Sequence, residues 1–168
     1  MAVPSAEDLS QAQNFLSPAS MALFLRLQPS EQAHSLRLFQ ELRQAGEDNR
    51  DLLAAALLHD VGKSCASLYP WERVLIVLGR RLLPARVKDW GQGPPIGWRR
   101  PFVVAEQHPA WGAELAAAVG ASPLAVALIR RHQERGSTQG TIKGMSADMS
   151  ASIEDQLLQR LQSLDDES

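Results

Sequence analysis

Apolar and polar residues alternate along most of this chain with a helical period. Residues Ser20 to Leu27 form a short apolar helix or turn closed by Pro29. Ser30 then caps a longer helix through about Ala45, with Leu36, Phe39 and Leu42 on one stripe and Leu38 beside them, and Gly46 ends it. Asp48 or Asn49 caps the next helix, Asp51 to Val61, which Gly62 breaks. Pro70 opens WERVLIVLGRRLL, and Pro84 ends it. The stretch DWGQGPPIGWRRP is dense in Gly and Pro and reads as a loop. His108-Pro109 starts a helix that Gly120 ends, and Ser122-Pro123 starts another that runs through Arg131. Residues 135–150 read as a flexible loop, and a last helix spans about Ser152 to Leu164. The expectation is an all-α fold: a compact single-domain helical bundle of about six or seven helices over residues 20–168, preceded by an N-terminal segment, 1–19. There is no internal repeat and no low-complexity tract.

Composition agrees with this pattern and narrows the function classes. The 168 residues suffice for one domain with a real core, and 45% apolar with 21% charged residues is ordinary globular usage. Few aromatic residues and few β-branched runs argue against a large sheet. A net charge of −2 offers no basic field, so no nucleic-acid partner is expected. The single cysteine, Cys65, excludes an intramolecular disulfide framework and makes a reducing cytoplasm the default. MAVPSAEDLSQAQNF has neither a basic start nor an apolar run, so no signal peptide is expected. No apolar run reaches the roughly 20 residues of a membrane span. The helix that ends with Arg80, Arg81, Arg86 and Lys88 is expected to be an ordinary amphipathic core helix, a membrane-surface role being the alternative. No membrane association is expected.

One apolar run ends in chemistry. Leu52-Leu-Ala-Ala-Ala-Leu-Leu58 is followed directly by His59 and Asp60. A buried carboxylate without a partner costs several kcal/mol or more, on the order of the ion desolvation penalty, so something must face it. Helical phase sets His59 over Leu52, Ala55 and Ala56, His34 in line with Leu38 and Leu42, and His132 over Ala125, Leu128 and Ile129. The fourth histidine, His108, sits beside a proline at an expected helix start, free of the helix body. Each histidine alone reads as a core or surface residue. Inward histidines from separate helices beside an inward Asp point to a metal site, since imidazole and carboxylate are the usual ligands of Zn, Mn, Fe or Ni and the metal neutralises Asp60.

AALLHDVGK, preceded by a helix carrying His34, closely resembles the signature of the HD-domain superfamily of metal-dependent phosphohydrolases, and the resemblance covers roughly residues 20–166. His108-Pro109 followed by Gly112-Ala113, and His132 in RRHQE, resemble the extra histidines of subfamilies with two metals. The resemblance implies a last ligand, an Asp on a late helix. Phase favours Asp165, which falls over Leu158 and Leu161. Asp166 falls on a polar face, and Asp148 is the weaker alternative. The implied set is His34, His59, Asp60 and Asp165 on one divalent ion, and His108 and His132 on a second, with Asp60 bridging. One or two ions of Mn, Fe, Ni, Zn or Mg are expected.

The implied activity is hydrolysis of a nucleotide or other small phosphoester, as a phosphomonoesterase or phosphodiesterase, by a metal-activated water. Asp60 and Lys63 are the expected catalytic residues; Lys63 is also the kind of cation a helix end favours. Arg99, Arg100 and Arg37 are the expected substrate-binding cations. Arg130 and Arg131 precede His132, and solvation is the expectation for each. Among Trp71, Trp90, Trp98 and Trp111, Trp90 and Trp98 are the better placed to stack a base. The ligand order is that of HD-GYP phosphodiesterases, but RHQERGSTQG stands where Gly-Tyr-Pro would, which speaks against a cyclic dinucleotide. Dinucleoside tetraphosphate hydrolases of the HD class are similar in size and layout. The alternatives are a di-iron HD-type oxygenase and a catalytically silent helical binding module.

Overall fold

A computed structural model describes residues 3–134 and 147–165, with side chains from 153 onward in the second stretch. The described residues form helices and turns without a strand. In chain order they are α1 (Ala6–Phe15), α2 (Pro18–Phe24), α3 (Pro29–Gln44), α4 (Arg50–Leu58), a 3₁₀ turn (Val61–Cys65), α5 (Pro70–Leu82), α6 (Pro84–Trp90), a second 3₁₀ turn (Gly97–Arg99), α7 (Arg100–Ala118), α8 (Pro123–Arg131) and α9 (Ala147–Asp165).

The centre of the bundle is α4. Leu52, Leu53, Ala55, Ala56, Leu57 and Leu58 are all fully buried, because the helix is apolar around its whole circumference. It packs against α1, α2, α3, α8 and α9. Asn49 starts it: Oδ1 accepts hydrogen bonds from the Asp51 and Leu52 amides, both at 3.0 Å. After Leu58 the chain leaves the helix at Asp60 (φ −95°, ψ 1°) and tightens into the first 3₁₀ turn, which lies against α7. In turn α7 packs on α8, and α5 and α6 lie on its outer side.

Nine α-helices are described, against the six or seven expected. The first of the extra ones falls within the expected N-terminal segment 1–19. Its sequence is polar, but a capping box between Ser5 and Asp8 starts it, and Ala12 and Leu16 enter the core. The seven-residue α6 buries Val87 alone, too little to make a period. The helix expected from His108 begins eight residues earlier, at Arg100, and runs through Pro109. A mid-helix proline leaves the carbonyl four residues back without its amide. Here that carbonyl, of Ala105, accepts a hydrogen bond from Arg80 Nη2 at 3.4 Å. Pro29 rather than Ser30 opens α3. Residues 135–146 of the expected loop lie outside the described residues, and 147–150 already belong to α9.

The helix α5 also departs from its expected place. It was expected to turn its apolar side to the core, yet Val74, Leu75, Val77, Leu78 and Leu82 are exposed. Its buried positions are Glu72 and Ile76, and its inward side borders a cleft instead of a packed layer.

Candidate metal centre

Five elements converge at the end of α4. His59 is the C-cap of α4, Asp60 follows it, and the apolar helix behind them fixes both. His34 comes from α3, His108 from the middle of α7, His132 from the C-cap of α8 and Asp165 from the last turn of α9. His59, Asp60, His108 and His132 are almost wholly buried, and His34 and Asp165 are half-buried at the opening. His108 is therefore a mid-helix residue held in the core, contrary to its expected place at a helix start.

The donor atoms form two groups. His34, His59 and Asp165 present ligand atoms within 4.8 Å of one another, as do Asp60, His108 and His132. His34 Nε2 lies 2.8 Å and His59 Nε2 3.4 Å from Asp165 Oδ1. Asp60 reaches both groups: Oδ2 is 3.5 Å from His59 Nε2, while Oδ1 is 3.3 Å from His108 Nε2 and 3.9 Å from His132 Nε2. The rings of His34, His59, His132 and His108 follow edge to face, with centroids 5.3, 5.1 and 5.3 Å apart.

Hydrogen bonding orients these rings for ligation. His59 Nδ1 bonds the Ala56 carbonyl at 2.9 Å, His108 Nδ1 the Val104 carbonyl at 3.0 Å and His132 Nδ1 the Ile129 carbonyl at 2.7 Å. A carbonyl only accepts, so each Nδ1 carries the proton and each Nε2 faces the centre. Those three Nε2 atoms are buried and have no hydrogen-bond partner among the described residues. An unpaired buried polar atom costs about 1–3 kcal/mol, and three around one carboxylate are the arrangement a metal ion would satisfy. The residues present therefore fit one or two divalent ions.

Electrostatics point the same way. Burial alone would lower the His59 pKa, but the carboxylates of Asp60 and Asp165 outweigh it and pull the imidazole up to about 10. Burial would raise Asp60, yet His59 and Lys63 hold it well below the usual carboxylate range. Asp165 is likewise held down by His34 and His59 against its own burial. Burial, then the neighbouring His59 and His108, push His132 down to about 3, so it is a neutral imidazole. The two carboxylates demand positive charge at His59 Nε2, from a proton or from a metal ion.

Two cavities open beside this centre and share Glu31, Lys63, Arg73 and Gln133 in their walls. One, of about 290 Å³, is also bounded by His34, Asp60 and Asp165. The other, of about 190 Å³, adds Arg26 and Arg80 and an apolar wall that includes Leu27, Leu68 and Ile76. Lys63 stands at the junction with Nζ 2.5 Å from Asp60 Oδ2. Burial would lower its pKa, but Asp60 and then Glu31 raise it, so it is charged. Buried Glu31 also holds Arg73 Nη2 at 2.6 Å.

The arginines expected to bind substrate lie elsewhere. Arg99 is exposed, with its guanidinium 5.2 Å above the Trp98 ring. Arg100 is taken up by buried Glu72, at 2.5 and 2.6 Å, and by the Ser67 carbonyl at 2.7 Å, tying the start of α7 to α5. Arg37 is exposed on α3 and borders neither cavity. Arg131 ties α8 to Glu134, Glu154 and Asp155. Trp90 and Trp98 pack on each other and on Phe102, and no tryptophan lines either cavity. The cations that do line the cleft are Arg26, Arg73, Arg80 and Lys63. Arg73 and Arg80 are seven apart on one side of α5, two turns that flank buried Ile76, and this spacing was the available signal. Glu31 lies one turn before His34 on the same face of α3. Of Asp148, Asp165 and Asp166, it is Asp165 that lies beside His34 and His59. Asp166 and the Asp148 side chain lie outside the described residues.

The sequence matches the HD domain family over residues 32–166, a stretch that contains every residue of both ligand groups. No curated protein and no solved structure matches the chain. With the match spanning most of the 168 residues, this chain belongs to the HD-domain family, part of the metal-dependent phosphohydrolase superfamily.

Proposed function

We propose that this protein is a metal-dependent phosphohydrolase whose substrate is a nucleotide or another small phosphoester. The observation that carries the reading is the set of three buried, unpartnered Nε2 atoms, of His59, His108 and His132, gathered around Asp60. His34, His59 and Asp165 would hold one ion, and His108 and His132 a second, with Asp60 shared between them. Bound divalent ions supply a water acidified toward neutral pH and neutralise charge on a phosphoryl group.

The chain's own residues do the rest. Asp60 orients the centre and holds Lys63 at the junction of the two cavities. From there Lys63 Nζ can donate a hydrogen bond to a phosphoryl oxygen or pass a proton to the leaving oxygen. Arg73 and Arg80 present guanidinium groups along the same cleft, suited to phosphate oxygens. The wall of Leu27, Leu68 and Ile76 offers an apolar surface to the body of the substrate. Four cations along one cleft favour phosphate chemistry over the di-iron oxygenase that the same ligand groups would also suit.

The test is turnover of a panel of phosphomonoesters, phosphodiesters and nucleotides with Mn, Mg, Fe, Ni and Zn. Release of phosphate or nucleotide that Asp60→Ala abolishes, with an unchanged helical circular dichroism signal, is the expected result. No turnover of any ester, together with dioxygen uptake by a two-iron form, would replace this reading with the oxygenase.

A further inference from the structure

The outer side of α5 is apolar and exposed, and the ring that stacks on its Trp71, that of Tyr69, is itself exposed. Trp71, Val74, Leu75, Leu78 and Leu82 recur at three- and four-residue intervals, so they form one stripe along the helix. Their exposure is high for large apolar side chains: 58% for Trp71, 56% for Val74, 46% for Leu78 and 69% for Leu82. Isolated exposed apolar residues are ordinary, but a contiguous stripe marks an interaction surface. The opposite side of the helix cannot take this stripe inward, because Glu72, Ile76 and Gly79 already face α7 there. A Cβ on Gly79 would come within 2.6 Å of the Phe102 ring.

Charge identifies the occupant. Residues 70–90 carry five cations (Arg73, Arg80, Arg81, Arg86 and Lys88) against two carboxylates (Glu72 and Asp89), in a chain whose net charge is −2. Glu72 is already neutralised by Arg100. Arg81, Arg86 and Lys88 are exposed and form no ion pair among the described residues. Arg81 flanks the stripe, about two helical turns from Val74 on the same side, and Arg86 and Lys88 follow at once on α6. A second copy of this chain docked through the same face would offer these cations no carboxylate from residues 70–90 but Asp89, since Glu72 is held by Arg100. An apolar helical face with tryptophan at one end and unpaired cations beside it matches an anionic lipid surface, where the stripe enters the acyl boundary and the cations meet phosphate head groups.

We infer that the outer face of α5, together with the cations that continue into α6, docks this protein onto anionic lipid bilayers. The inward side of the same helix bears Arg73 and Arg80 on the wall of the cleft, so docking sets the cleft beside the head-group layer.

Vesicle sedimentation tests the inference with the full chain. Phosphatidylcholine vesicles with and without phosphatidylglycerol are the probe, at low and high salt. Binding to the phosphatidylglycerol vesicles is expected, weakened by salt and accompanied by a blue shift of Trp71 fluorescence that Trp71→Phe removes. Leu75→Ser with Leu78→Ser should abolish binding without altering the fold, since both side chains are exposed. Arg81→Gln, Arg86→Gln and Lys88→Gln together should lower it on the order of a hundredfold. Failure of the wild-type protein to bind, or binding indifferent to the stripe variant, overturns the inference. So does a solution dimer that the stripe variant splits, which would assign the face to a second copy. Asp60→Ala should leave vesicle binding unchanged, so the lipid inference and the hydrolase reading fail separately.

Discussion

The Cα of Gly62 lies against the backbone of His108. A methyl group on that glycine would stand 1.9 Å from the His108 carbonyl oxygen and 2.7 Å from the Gly112 amide nitrogen. The 3₁₀ turn that follows Asp60 can therefore touch α7 only with glycine at this position, and that contact sets Asp60 and His108 3.3 Å apart. Gly62→Ala should force the turn away from α7. Overpacking of this kind costs roughly 1–3 kcal/mol, and the neighbour here is rigid backbone, so the upper end is expected. Urea unfolding would read the stability, and metal content per chain would show loss of the ion that Asp60 and His108 would share.

Removing ligands should divide the two groups. His108→Ala or His132→Ala should lower the stoichiometry from two ions to one. Asp60→Asn should weaken both ions, by about a hundredfold or more on the scale of changes to ligand-supporting groups, and leave Lys63 charged and unpaired. Plasma mass spectrometry of purified variants distinguishes these outcomes. Equal loss of all metal in His132→Ala would contradict the division.

The pH dependence follows from His59. In the metal-free protein its pKa is raised to about 10, so the stability contributed by its proton is present below the ordinary value of 6.5 and is lost as pH rises through about 10. Asp60 and Asp165 are shifted the opposite way, and their contribution is present above the ordinary 3.8 and lost as pH falls through their lowered values. An ion that takes the place of the His59 proton must release it. Between pH 7 and 9 the apparent affinity for a divalent ion should rise roughly tenfold per unit, with about one proton released per ion. Calorimetry in buffers of different ionisation enthalpy counts that proton directly.

In the cleft, Arg80→Gln should raise KM for a phosphoester by roughly tenfold to a hundredfold, the worth of a charge-assisted hydrogen bond, with a smaller change in kcat. Arg73→Gln should do the same and also free buried Glu31. Arg37→Gln and Arg99→Gln should leave KM within about twofold, as exposed substitutions away from a site do. Steady-state kinetics on one substrate checks all four.

What was legible in the sequence followed helical phase. His34, His59 and His132 could be set over named apolar neighbours, and Asp165 parted from Asp166 by the same argument; the structure puts all four beside Asp60 or one another. His108 was misplaced because Pro109 reads as a start, and nothing local shows that Arg80 takes up the Ala105 carbonyl the proline releases. Arg99 and Arg100 seemed near the centre because they precede His108 by eight or nine residues. In a continuous helix that interval is about 12 Å, at 1.5 Å per residue. Arg73 and Arg80 are far from the histidines in sequence; their seven-residue spacing sets them on one side of α5, but nothing in that spacing shows that this side borders the cleft. The polar α1 hid its core residue Ala12, and with it Leu16 at its C-cap, for want of a longer apolar stripe.

His34 and Asp165 touch at 2.8 Å across 131 positions of chain. In the order of folding, this makes their half of the centre a late event. The Asp60–His108–His132 half can close once α8 has been synthesised, whereas the other half waits for residue 165 to emerge and for α9 to come back against α3. Contacts of such long range contribute to stability only after a large loop has closed. An ion shared by His34, His59 and Asp165 would act as a clasp on that loop, so metal should slow unfolding more than it speeds folding.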